Sequence, residues 1–368
     1  MALNFNPIPS RVNPAVLAAM AKPQTKEANQ MASNLEDRIK ELFFPDAIRV
    51  GFFTCTREGL YEIALNSFVN GPALICVNSP FSRQWQTLGK GMNPNVEIFD
   101  TNFDSTFNLT LFENALESES FDAVLLVEID PLTGIRNDIS SLAGIIHQKL
   151  PDALIIVDCS ASIGSVRTLQ LTTDADVVLF SSEISLGLPP GLGMIALNER
   201  ANFKAIGYSG SGWNLNYSRG LRDSADLSFR MQLPYALMNA LEKQLDLLFL
   251  EGEEVRIARI ESLSGKVKTW ATDNHFTLYT PQDGLAPTVS VLRKSSFFSI
   301  DNLRDFLTSY GIVLGKCAGD LEDEAFIIAH MNGTTEEEID LLLSVLNKFL
   351  ADYDTLKSIP VVHKLSPQ

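Results

Sequence analysis

The sequence predicts an α/β protein whose mostly parallel sheet is covered by helices on both faces. Two observations carry this. Short Val/Ile/Leu-rich runs of about four to eight residues alternate with stretches of helical spacing. The chain also has 368 residues, 45% of them hydrophobic and 20% charged, enough for a large core and a second, smaller domain.

In order, residues 13–43 carry helical spacing in PAVLAAM and MASNLEDRIKELF. IRVGFFTC (48–55) reads as a strand and REGLYEIALNSFV as a helix. ALICVN (73–78) and VEIFDTN (96–102) are further strands, followed by the helical FNLTLFENALES. DAVLLVEID (122–130) is a buried strand, and DISSLAGIIHQKL is a helix capped by Asp138 or Ser140. ALIIVDCS (153–160), DVVLFSS (176–182) and GMIALN (193–198) complete the strand series. Residues 205–230 are rich in Gly, Ser and aromatics and read as a long irregular loop. Residues 233–271 read as one long helical stretch bridging two domains, and an α+β tail follows. In that tail Thr334 or Thr335 with Glu337 or Glu338 forms a capping-box pattern.

A parallel sheet binds ligands at the carboxyl ends of its strands. Cys55–Gly59, Asn78–Phe81, Glu128–Gly134, Asp158–Ser162 and Ser182–Ser185 are therefore expected at one edge. A net charge of −16 argues against nucleic acid as a partner, because the phosphate backbone would be repelled. No apolar run reaches the roughly 18–20 residues of a membrane helix, so no membrane partner is expected. The N-terminus lacks a basic region followed by an apolar stretch, so no signal peptide is expected. Four widely spaced cysteines without a CxxC pair fit a reduced, cytoplasmic chain, and no His/Asp/Glu set has metal-ligand spacing. The buried, inert reading is preferred for Cys55 and Cys159, and His147 and His330 are isolated.

The order of motifs NPIPSRVNPAVLAAMAKPQ, CVNSPFSRQW, LTGIRND, IVDCSASIG, SSEISLGLPPGLGMIALNER and FIIAHMNGTT resembles the class V aminotransferases. These are fold type I, pyridoxal phosphate-dependent enzymes, and the pattern here is close to the alanine–glyoxylate and serine–glyoxylate type. The resemblance spans nearly the whole chain. It implies a large domain on a seven-stranded-type sheet (21–250), a small α+β domain (251–368), and an N-terminal segment (1–20) packed across the cleft or onto a partner. It further implies a homodimer.

The resemblance also implies site residues. Asp158 matches the aspartate that pairs with the pyridine nitrogen, and Phe81 the ring that stacks on the cofactor. Thr56 and Arg57 fall in the phosphate-binding turn at a helix start, where Cys55-Thr56-Arg57-Glu58-Gly59 replaces a Gly/Ser-rich sequence. Ser182 opens the lysine motif, and Gln232 falls where a threonine of the neighbouring subunit reaches the phosphate.

Four departures matter. Ser182-Glu183-Ile184-Ser185-Leu186 keeps the count to Pro189-Pro190-Gly191, so Ile184 stands where the Schiff-base lysine stands. Glu183 replaces a glutamine, Ile8 a substrate-binding glycine, and Ile327 the arginine that clamps the substrate carboxylate. Each retained position also has a plain structural reading. Asp158 can be satisfied by nearby backbone N–H groups, Phe81 can be core, and Arg57 can be a salt-bridged surface residue.

The expected function is accordingly a class V homologue without transaminase activity, a binding, structural or regulatory subunit. Two other readings stay open. One is a repurposed enzyme holding pyridoxal phosphate non-covalently, or another small anionic ligand, through Asp158, Phe81, Thr56 and Arg57. The other is an active transaminase whose lysine comes from elsewhere. The unchanged register speaks against the last, and Lys204, beyond a further strand, is not expected to reach the site.

Overall fold

The computed structural model describes residues 3–23, 28–93, 95–207, 214–218, 233–294, 298–317 and 319–357. Strand β1 (Leu3–Phe5) is set apart from the next seven, which form one sheet. These are β2 (Arg49–Phe53), β3 (Ala73–Val77), β4 (Val96–Asp100), β5 (Ala123–Val127), β6 (Leu154–Asp158), β7 (Val177–Ser181) and β8 (Gly193–Leu197). Their order is β2-β8-β7-β6-β5-β3-β4. Strand β8 is antiparallel to both neighbours, and the other pairings are parallel. The carboxyl ends of β2, β3, β5, β6 and β7 therefore share one edge.

Central strands carry branched aliphatics on both faces because both faces are covered. In β6, Ile155 and Val157 join one core cluster, and Leu154 and Ile156 join another. Helices α2 (Ala28–Leu42), α5 (Leu109–Leu116), α6 (Ile139–Lys149) and α8 (Tyr235–Glu251) contribute to the first. Helix α1 (Pro14–Met20) packs on α8. Helices α3 (Arg57–Phe68), α4 (Pro80–Met92) and α7 (Glu199–Gly207) contribute to the second. By the strand's alternation, Asp158 shares the face of Leu154 and Ile156, the one α3 and α4 cover.

The long helical stretch is two helices. Helix α8 ends at Glu251 and α9 (Glu253–Asp273) begins after Gly252, whose φ of +79° breaks the helix at little cost only because glycine lacks a Cβ. The caps fall where the pattern put them. Asp138 accepts from Ser141 N–H, and Thr335 and Glu338 exchange side chain-to-backbone bonds.

A second sheet has the order β1-β11-β12-β10-β9, built from β9 (Thr277–Leu278), β10 (Val289–Arg293), β11 (Ile312–Lys316) and β12 (Ala325–Ala329). Helices α9, α10 (Ile300–Ser309) and α11 (Glu336–Lys357) cover the face carrying Leu292, Phe326 and Ile328. The opposite face, with Val289, Val291, Ala325 and Ile327, joins the cluster of α3 and α4. One apolar layer thus links the two sheets. Most of the expected loop at 205–230 lies outside the described residues.

Candidate active site

All five expected segments are joined at the carboxyl edge by direct contacts, with Glu128 N–H donating to the Asp158 carbonyl (3.0 Å). Phe81 N–H donates to Asp130 Oδ2 (2.9 Å) at the head of α4. Ser185 N–H donates to the Ser160 carbonyl (3.0 Å), which ties the loop after β7 to the turn after β6. Arg57, at the first position of α3, reaches Phe81 and the α4 side chain Gln84.

Asp158 is buried at the end of β6. Its Oδ1 accepts Ser160 N–H (2.8 Å), and its Oδ2 accepts the hydroxyl of Tyr61. Tyr61 is itself buried and stacks on Trp85, with ring centroids 4.3 Å apart and 4° between planes. Burial, reinforced by the Asp158 charge, pushes the Tyr61 hydroxyl well above its ordinary pKa, so Tyr61 stays a donor.

Arg57 is only 5% exposed. Its guanidinium carbon lies 3.2 Å from the centroid of the Phe81 ring and 5.4 Å from that of Tyr61. Nη2 donates to Glu58 Oε1 (2.9 Å) and to Gln84, while Nη1 is buried without a partner. Burial opposes the charge, but Tyr61, Asp158 and Glu58 together raise the Arg57 pKa above its usual value. Burial likewise opposes ionisation of Glu58. Hydrogen bonds from Arg57, from the Thr56 hydroxyl (2.7 Å) and from its own N–H nevertheless hold its pKa below the usual range. Glu58 therefore places a carboxylate at the amino end of α3. Glu183 sits nearby, and burial raises its carboxyl pKa.

The other expected positions divide. Ile184 is 1% exposed, and its carbonyl accepts from Ser10 Oγ (2.6 Å) and Asn332 Nδ2 (3.1 Å). Ile184 and Ile327 belong to the apolar cluster of α3 and α4, and half-buried Ile8 packs against it. Thr56 is exposed and spends its hydroxyl on Glu58 without capping α3. Ser182 is turned into its own loop, donating to the Pro189 carbonyl (2.8 Å) and accepting Leu192 N–H (3.3 Å). Gln232 lies outside the described residues. Lys204 is at the opposite edge, paired with Asp122 (2.5 Å), just before β5.

Burial disfavours the thiolate at Cys55 and Cys159. Burial and then Glu183 push the Cys55 thiol up to about 12, and burial and then Glu128 push Cys159 far above its usual value. His330 is a core residue with Nδ1 3.0 Å from the Pro287 carbonyl, and burial lowers its pKa to about 4. Among the described residues no group of three or more His, Cys, Asp or Glu could hold a metal, and no helix is long and apolar enough to cross a membrane. A cavity of about 260 Å³ lies elsewhere, between the N-terminal segment, α8 and the Asn332–Thr335 turn. Its two arginines, Arg11 and Arg259, are already paired with Glu338 and Glu251.

Tyr61, Trp85 and Gln84 escaped the sequence reading. A signal was present: Tyr61 lies four residues after Arg57 on α3, and Trp85 four after Phe81 on α4. That spacing puts each pair on one helix face.

The residues present do not fit pyridoxal phosphate. The ring face of Phe81 carries Arg57, the Asp158 acceptor is used by Tyr61, a carboxylate sits at the helix start, and no amine stands at position 184.

Residues 13–230 match the family described as Aminotransferase class-V. The chain is 26% identical over 369 residues to a serine–glyoxylate aminotransferase of Arabidopsis thaliana, covering 95% of this chain and 90% of that protein. It is 22% identical over 343 residues to the soluble hydrogenase 42 kDa subunit of Anabaena cylindrica, covering 90% and 89%. The fold superimposes on an alanine–glyoxylate aminotransferase from Nostoc sp. with a TM-score of 0.87 at 19% identity, covering 95% of each chain.

Proposed function

Since the chain belongs to the class V aminotransferase family, we propose that it is a non-transaminating member that acts as a binding or regulatory subunit. The observation that carries this is Ile184, buried at the lysine position within an apolar cluster that also takes Ile327 and packs against Ile8. Isoleucine offers no nucleophile and no proton carrier, and the lost proton transfer alone is worth roughly a hundred- to ten-thousandfold. The names of several relatives favour an enzyme, but their residue identity is low. Others bear the names of soluble hydrogenase subunits, which favours the subunit reading.

A second reading, non-covalent retention of a small anion other than pyridoxal phosphate, draws support from the unpartnered Nη1 of the buried Arg57. The proposed setting is a cytoplasmic homodimer. Division into 1–20, 21–250 and 251–368 is supported by the separate stretches from which the two sheets, β1 apart, are drawn.

The test is borohydride reduction of the protein with pyridoxal phosphate, followed by peptide mapping, beside an alanine–glyoxylate transamination assay. No adduct within the cleft and no turnover are expected. Ile184→Lys is expected to remain at least about a hundredfold below an ordinary family member, because Ile327 and Ile8 persist. A site-specific reduced adduct in the wild type, or turnover by it, overturns the proposal.

A further inference from the structure

We propose that Arg57, Glu58 and Tyr61 form a built-in substitute for the cofactor, filling three of its attachment points from within the chain. The inference rests on the reading just given and carries it from loss of chemistry to loss of the ligand itself.

Three contacts define the substitute. A planar group belongs on Phe81, and the planar guanidinium of Arg57 lies there at 3.2 Å, a full contact distance that leaves no slot for a second ring on that face. A hydrogen-bond donor belongs on Asp158, and the Tyr61 hydroxyl supplies it, braced by its stack on Trp85. An anion belongs at the start of α3, and the Glu58 carboxylate is there, held by Thr56, Arg57 and its own N–H. The occupants also bind one another, since Arg57 donates to Glu58 and overlies Tyr61.

A free cofactor competes poorly against this set. The internal groups are always present and are already oriented by one helix, so their ordering is largely complete in the fold. A phosphate would bring about −1.5 to −2 of charge. It would meet Glu58 directly, with Glu183 nearby. Displacing Arg57 would also strip Glu58 of its nearest cation. Nη1 of Arg57 and Nε1 of Trp85 are the buried donors the arrangement leaves unmatched.

The experiment uses pyridoxine 5′-phosphate, which has no aldehyde and so cannot label surface lysines. Calorimetric titration of the wild-type chain is expected to show no binding tighter than about 1 mM. The double variant Arg57→Gly, Glu58→Thr clears the ring face and the anion site and is expected to bind at least about tenfold tighter than that limit. Micromolar binding by the wild type overturns the proposal, and so does a folded double variant that binds no better. Should the double variant fail to fold, the wild-type titration still decides. Wild-type binding without a reducible adduct sinks only the substitute; turnover or a reduced cleft adduct sinks the functional reading beneath it.

Discussion

The two edges of the large sheet solve the same problem differently. At the amino edge, Asp176 precedes β7 and Asp122 precedes β5. Both face cations of α7. Arg200 contacts Asp176 through Nε (2.9 Å) and Nη2 (2.5 Å) and also donates to the carbonyls of Pro151 and Ala153. Asp176 further accepts Ile155 N–H and the Asn198 amide, and Lys204 holds Asp122. Each charge there has its opposite. At the carboxyl edge Arg57 stands among Glu58, Glu183 and Asp158 and keeps an unmatched Nη1. The amino edge is a completed joint. The carboxyl edge instead gathers carboxylates about the buried Arg57 and leaves a donor without an acceptor.

The sharpest way to break this contrast is Asp176→Ala. It leaves Arg200 without its carboxylate and a buried N–H without its acceptor, and is expected to cost about 3–5 kcal/mol in urea unfolding. Tyr61→Phe removes one donor from Asp158 while keeping the ring stack, and is expected to cost about 1–3 kcal/mol. If it costs as much as Asp176→Ala, the carboxyl edge is as structural as the amino one. Glu183→Gln should have the smallest effect and the opposite sign. The raised pKa of Glu183 means that the folded chain binds a proton more readily than the unfolded chain, so ionisation penalises the fold as pH rises past the ordinary value. The variant is therefore expected to raise the unfolding midpoint at neutral pH and to lose that gain near about pH 4. A gain that persists in acid would mean that packing, not charge, is the cause.

The sequence made much of this legible. Strands buried on both faces must be continuous aliphatic runs, so their places along the chain could be read without partners, though not their order in the sheet. The distance from Ser182 to Pro189-Pro190-Gly191 is the feature of the sequence that sets Ile184 against the lysine of the family resemblance. Gly252 was hidden because Glu251, Glu253 and Glu254 keep helical composition on both sides of the break. The Tyr61–Trp85 stack joins two helices across 24 residues of chain, and no local pattern encodes which pair of rings will meet. That the isoleucines at 184 and 327 share one apolar layer, with Ile8 against it, is a property of the two sheets together.

The Ile184 carbonyl is held by Ser10, 174 residues earlier in the chain, and by Asn332, 148 residues later. Contacts at such separation are made late in folding, after the closure entropy of long segments has been met. A nascent chain that has not yet been extended to Asn332 lacks the amide that closes that turn. The turn therefore takes its final form only once the segments carrying Ser10 and Asn332 have both reached it.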